Sequence, residues 1–185
     1  MAKKKNATGG NVGEWSEVYV FFRLLGEHEI CSCDENLNKT DEKFPILKII
    51  RGEGGESAVV CNYDESSDSW SVYSENIKIA HIETQEGTVE ADSLLELLQN
   101  RKTWPDKYSK AAKFLNRLNI QSIKAESQKK KDITLQISDV RAGTNPVCGF
   151  SIKSYLGSPP TLLNSSTDCT NFLYEISQIT TEEAH

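Results

Sequence analysis

Four short stretches constrain this chain more than anything else in it: PILKIIR (45–51), SAVVCNY (57–63), SWSVYS (69–74) and IKIAHIE (77–83). Each is rich in β-branched or aromatic residues, and each has the length of a single strand. GEGGE and DESSD supply turn residues between the first three. Strands this closely spaced read as an antiparallel meander.

The segments on either side read as helices and a second strand pair. In GEWSEVYVFFRLL (13–25), Trp15, Val18, Tyr19, Phe22 and Leu25 recur at three- and four-residue spacing, the pattern of an amphipathic helix. Glu14 and Glu17 are surface neighbours on that helix. CSCDENLNKTDEK (31–43) is polar and reads as a loop or a helix end. ADSLLELLQ (91–99) reads as a helix with Asp92 as its N-cap, and DKYSKAAKFLNRL (106–118) as another. DITLQIS (132–138) alternates as a strand and ends at Asp139, and GFSIKSYL (149–156) follows as its neighbour. On that second strand Ser151 and Lys153 share one face, and Phe150 and Ile152 the other. GSPPTLLN (157–164) is a proline-stiffened loop and TNFLYEISQI (170–179) a final helix. The expected class is α/β or α+β.

Composition narrows the function classes. The 185 residues suit one domain, and 37% hydrophobic with 26% charged residues is ordinary for a soluble protein. No apolar run nears the roughly 18 residues of a membrane span. The start, MAKKKNATGG, is basic with no apolar segment behind it, so residues 1–12 are expected to be a disordered basic terminus rather than a secretory signal. Five cysteines, an odd number without zinc-site spacing, favour reduced thiols in a cytoplasmic protein. Net charge is −6, yet residues 101–131 carry ten basic and two acidic side chains. Lys110, Lys113 and Arg117 fall on one helical face, and Lys129, Lys130 and Lys131 close the following loop. Those cations are either a solvated face or a phosphate-binding one.

The hairpin 132–156 can carry chemistry. A lysine buried at a strand edge is costly unless it meets an anion, a carboxylate or a phosphate. Mg²⁺ prefers oxygen ligands, often one or two carboxylates together with phosphate oxygens and water. Asp139 at one strand end and Lys153 on the neighbouring strand offer a metal ligand and a group to orient water, with the Ile152 carbonyl as a neutral ligand. This layout resembles that of the PD-(D/E)xK nucleases, in which an aspartate precedes an acid-x-lysine tripeptide on the next strand. Here the tripeptide is Ser151-Ile152-Lys153, with serine at the acid's place and no proline before the aspartate.

GEWSEVYVFFRLLGE, DENLNK (34–39), FPILKIIR and above all GFSIKSYLGSPPTLLNSS with TNFLYE resemble the HpaII-like type II restriction endonucleases, from about Gly13 to Tyr174. The resemblance implies a restriction-endonuclease-like mixed central sheet flanked by helices, beside the meander, with residues 13–185 as a single nuclease-like domain. Members of that family are longer, so the chain corresponds to an amino-terminal portion, a shortened member or a split gene product. The implied activity is Mg²⁺-dependent cleavage of double-stranded DNA at a short palindrome, of C-C-G-G type. The implied partners are a second copy of the chain, as a homodimer, and a cognate DNA methyltransferase in a restriction-modification system. Carried over by position, Asp139 would bind metal and Lys153 would assist the water. A carboxylate from elsewhere would replace the acid missing at Ser151: Glu17 first, then Glu14, or Glu175 on the last helix. A DNA-binding module derived from such an enzyme, without cleavage, is the alternative.

Overall fold

The computed structural model describes residues 10–52, 58–100, 109–120, 123, 131–154 and 156. Along the chain run α1 (Val12–Glu27), β1 (Glu29–Cys33), β2 (Lys39–Arg51), β3 (Val59–Asp64), β4 (Ser69–Ser74) and β5 (Ile77–Glu83). They are followed by α2 (Thr84–Gln99), α3 (Ser109–Arg117), β6 (Ile133–Ile137) and β7 (Val147–Phe150). The protein is α/β. Its strands form one seven-stranded sheet in the order β5-β4-β3-β2-β6-β7, with β1 added on β2.

Every described strand pair is antiparallel, so the expected mixed character of the sheet is not found among the described residues. The physical reason is connection length. β2 to β5 are joined by turns too short for a parallel crossover, and β6 and β7 form a hairpin. The meander and the 132–156 hairpin belong to the same sheet because β6 pairs with β2 (Ile49 opposite Leu135, Ile50 opposite Thr134).

β2 is a strand of two halves. Its first half pairs with β1, from Lys39 opposite Cys33 to Pro45 opposite Glu29. Its second half lies between β3 and β6. Residues 31–43, expected as loop, are therefore mostly hairpin. Turn chemistry outweighs their polarity here. Asp34 accepts hydrogen bonds from the backbone N–H of Asn36 and Asn38 and from the Asn38 side chain, and Leu37 takes a left-handed φ of 64°. Across the strands, Ser32 meets Thr40 and Glu29 meets Lys43.

α1 begins with a capping box: the Asn11 side chain accepts from Glu14 N–H, and the Glu14 carboxylate accepts from Asn11 N–H. The helix buries Trp15, Val18, Phe21, Phe22 and Leu25 against Ile46, Ile49, Cys61, Trp70 and Val72 of the sheet. Near its carboxyl end the buried Trp70 indole N–H donates to the Leu25 carbonyl at 2.7 Å, satisfying one of the four carbonyls that a helix end leaves open.

α2 starts seven residues earlier than its sequence pattern indicates. Thr84 donates both its N–H and its hydroxyl to Asp68, so Asp68 on the β3–β4 turn acts at this helix start. Asp92 lies mid-helix and pairs with Arg23 of α1. α1 and α2 cross with backbones nearly touching at Gly26 and Gly87. A Cβ on Gly87 would lie 2.7 Å from the Gly26 nitrogen. Gly87→Ala is therefore expected to destabilise by about 1–3 kcal/mol despite alanine's better helix propensity, measured by denaturant unfolding.

Candidate active site

The β6–β7 hairpin sets the geometry. Ile133 faces Phe150 and Leu135 faces Cys148. One more step of that register brings Asp132 opposite Ser151 at the open end. There Asp132 N–H donates to the Phe150 carbonyl at 2.8 Å. Its carboxylate oxygen Oδ2 accepts from the Ile152 N–H at 2.6 Å and from the Ser151 hydroxyl at 3.2 Å. Asp132 is thus clasped by the tripeptide that carries Lys153, whose side chain is exposed.

Asp139 lies elsewhere. It closes the hairpin's other end, paired with Thr144 through two backbone bonds, and its side chain accepts from Ala142 N–H. Seven residues of nearly extended chain place it roughly 20 Å from Asp132. The expected convergence of Asp139 with Lys153 does not occur, because an antiparallel hairpin separates a residue at its turn from residues at its open end. Asp139 instead borders a shallow cavity of about 230 Å³ with Glu42, Lys43, Phe44, Val140 and Arg141.

α1 brings a second carboxyl to the open end. The Ser16 hydroxyl donates to the Val12 carbonyl at 2.8 Å and shares a hydrogen bond with Ser154 at 2.9 Å, tying the helix's first turns to the residue after Lys153. The next residue, Glu17, is half-buried, and its carboxyl is pushed up to about 7. Burial is the largest cause, followed by the negative charge of Asp132, while Arg51 acts in the opposite direction. Glu17 and Asp132 therefore share one electrostatic environment. Glu14 adds a smaller repulsion, but its own carboxylate is engaged in the helix cap. Arg51, at the end of β2, is buried and lies over the Phe21 ring, one turn beyond Glu17.

The basic residues divide. Lys110 pairs with Glu90 at 3.2 Å and Arg117 with Glu86 at 2.5 Å, so both lie in the α2–α3 seam. Lys113 is exposed. Lys131 runs along the face of β7 at Gly149, next to Asp132. Lys129, Lys130, Glu175 and the 157–164 loop fall outside the described residues. Asp132 and Arg51 escaped sequence reasoning, although the hairpin register alone was enough to find Asp132. An aspartate beginning the first strand meets the end of the second, whereas one ending the first strand cannot.

A family model described as HpaII restriction endonuclease matches residues 11–185. The chain belongs to the HpaII restriction endonuclease family. It is 35% identical over 168 residues to the type II restriction enzyme HpaII of Haemophilus parainfluenzae, covering 90% of this chain and 46% of that enzyme. It thus spans about half the length of that relative. No solved structure matches the chain. Asp132, just before β6, and Ser151 and Ile152, just after β7, are joined by hydrogen bonds at the open end of this hairpin.

The Glu17 shift has a defined pH consequence. A carboxyl whose folded-state pKa exceeds its unfolded value holds its proton longer in the folded chain, so stability falls as pH rises between the two values. For Glu17 that window runs from the ordinary 4.5 to about 7. In metal-free protein, the stability difference between wild type and Glu17→Gln should shift against wild type across this window, measured by urea unfolding at several pH values.

Proposed function

We propose that this chain carries the catalytic site of a type II restriction endonuclease, which hydrolyses phosphodiester bonds of double-stranded DNA at a short palindrome with Mg²⁺. The reading is carried by one observation: the Asp132 carboxylate is held by Ser151 and Ile152, immediately before Lys153, and its charge reaches the Glu17 carboxyl, in a chain of this family. The donor set suits Mg²⁺, which commonly binds through one or two carboxylates and completes its shell with phosphate oxygens and water. Among the described residues no cluster of three or more His, Cys, Asp or Glu forms, so Asp132 and Glu17 would be the pair, with the Ile152 carbonyl as a neutral ligand. When bound, Mg²⁺ would polarise the phosphate and acidify a water.

Each residue has its own task. Ser151 and the Ile152 N–H hold Asp132 Oδ2 and so fix the orientation of the carboxylate. Ser151 thereby orients an acid instead of supplying one, and Glu17 provides the second carboxylate from α1. Lys153 presents its ammonium at the same end, to orient the attacking water and offset phosphate charge. Lys113, Lys131 and the neighbouring Lys129 and Lys130 are the better phosphate contacts, since Lys110 and Arg117 already have carboxylate partners. A C-C-G-G-type palindrome, a two-fold homodimer to read it, action in the cytoplasm and a protecting methyltransferase complete the reading.

A non-cleaving DNA-binding module is the second reading, favoured by serine at the position of the second acid. Plasmid digestion with and without Mg²⁺ separates the two. Discrete fragments that appear only with Mg²⁺ support cleavage. Binding to DNA without fragments favours the module. Lys153→Ala should slow cleavage by about 100-fold or more while leaving DNA affinity within a few-fold.

A further inference from the structure

Arg51 is the buried charge that the proposed chemistry leaves unused. It keeps only 9% of its surface and ends β2 beside the start of β6. A guanidinium offers five N–H donors. One contact is to the Ile123 carbonyl, at 3.3 Å from Nη2, and the guanidinium carbon Cζ lies over the Phe21 ring, 5.3 Å from its centroid. Among the described residues, no carboxylate lies within ion-pairing distance of it. A buried guanidinium in that position is costly unless nearby anions stabilise it. The carboxylates whose fields reach it are Glu17 and Asp132, and burial is the main influence opposing its charge. Phe21 follows Glu17 by one helical turn on the same face of α1, so the contact with its ring holds Arg51 within about a turn of Glu17. The place of Arg51 on β2 sets it beside the start of β6, next to Asp132.

We propose that Arg51 is a positioning residue, an internal counter-cation that holds the Glu17–Asp132 pair together before a divalent ion binds and that weakens the ion's hold on the pair. This rests on reading Glu17 and Asp132 as the metal-holding carboxylates. Two negative groups crowded at one end of a sheet repel each other, and a fixed positive charge behind them offsets the repulsion. The same charge repels an incoming divalent cation. Metal binding then becomes tight only when the anionic phosphate of DNA adds its own charge in front.

The test is a double-mutant cycle on the full chain in mildly alkaline buffer. Thermal midpoints are compared for wild type, Arg51→Met, Glu17→Gln and the double variant, each metal-free and titrated with Mg²⁺ alone or Mn²⁺ alone. Arg51→Met should lower the metal-free midpoint, and adding Glu17→Gln should restore about half or more of the loss. Arg51→Met should also bind the metal roughly tenfold more tightly than wild type, read from the midpoint shift against metal concentration. Arg51→Lys keeps the charge and should resemble wild type in metal affinity. If Arg51→Met does not fold, the cycle is run with Arg51→Gln, whose shorter neutral side chain should show the same coupling.

If the losses are simply additive, Arg51 only ties Ile123 to Phe21, and the proposal is overturned. Metal affinity unchanged in the neutral variants overturns it equally. If wild type shows no metal-induced shift while the Arg51–Glu17 coupling persists, the metal reading of the carboxylate pair fails, and the claim about metal binding falls with it.

Discussion

Everything at the candidate site depends on how α1 is seated on the sheet. The helix is anchored at two points. Near its carboxyl end the Trp70 indole holds the Leu25 carbonyl, and near its amino end Ser16 meets Ser154. Between them, fully buried Trp15, Val18, Phe21 and Phe22 fill the space over β2, β3 and β4. Close packing of this kind leaves little freedom for sliding or rotation. Glu17 is consequently carried to the end of the sheet where Asp132 lies, and burial there raises its proton affinity. A carboxyl in solution would gain nothing from such a place, and the cost of ionising it there is offset only by positive charge, from Arg51 within or a cation from outside.

The sheet supplies the other half. β2 pairs with β1 along its first half and with β3 and β6 along its second, so one strand joins the polar hairpin, the meander and the β6–β7 pair. The two ends of β6 have different characters as a result. At the β2 bulge end, the Asp139 turn lies beside Glu42 and Arg141 of an open polar surface, where those two side chains form an ion pair. At the other end, Asp132, the buried Arg51 and the 151–154 segment gather beneath α1. The second end combines the half-buried Glu17, whose carboxyl is raised to about 7, with the held carboxylate of Asp132 and a neighbouring lysine, the combination expected where a charged substrate is processed.

Much of this was legible in the sequence. The period of α1, the four strand-like stretches of the meander and the pairing of β6 with β7 followed from the spacing of apolar residues, but β7 spans Val147–Phe150, so Ser151 and Lys153 lie beyond the strand whose face they were expected to share. Two elements did not follow from that spacing. The β1–β2 hairpin has almost no apolar alternation, and it forms because Asp34 organises its turn and polar pairs bridge its strands. The start of α2 is set by Asp68, sixteen residues away from Thr84 in sequence, which no local pattern reveals. The family resemblance pointed to this hairpin and tripeptide with Asp139 as the aspartate, whereas strand register sets Asp132, not Asp139, beside Ser151 and Ile152. Glu17 was chosen from its helical position, and its coupling to Asp132 became visible only once the packing of α1 was known.

The central claim is that the acid serving Lys153 opens β6 and does not end it. Single-turnover cleavage of a DNA duplex in Mg²⁺ by wild type, Asp132→Asn and Asp139→Asn tests it most directly, with folding checked by circular dichroism. The account predicts a loss of about 100-fold or more for Asp132→Asn and a change of no more than a few-fold for Asp139→Asn. Full activity in Asp132→Asn together with loss in Asp139→Asn would contradict it.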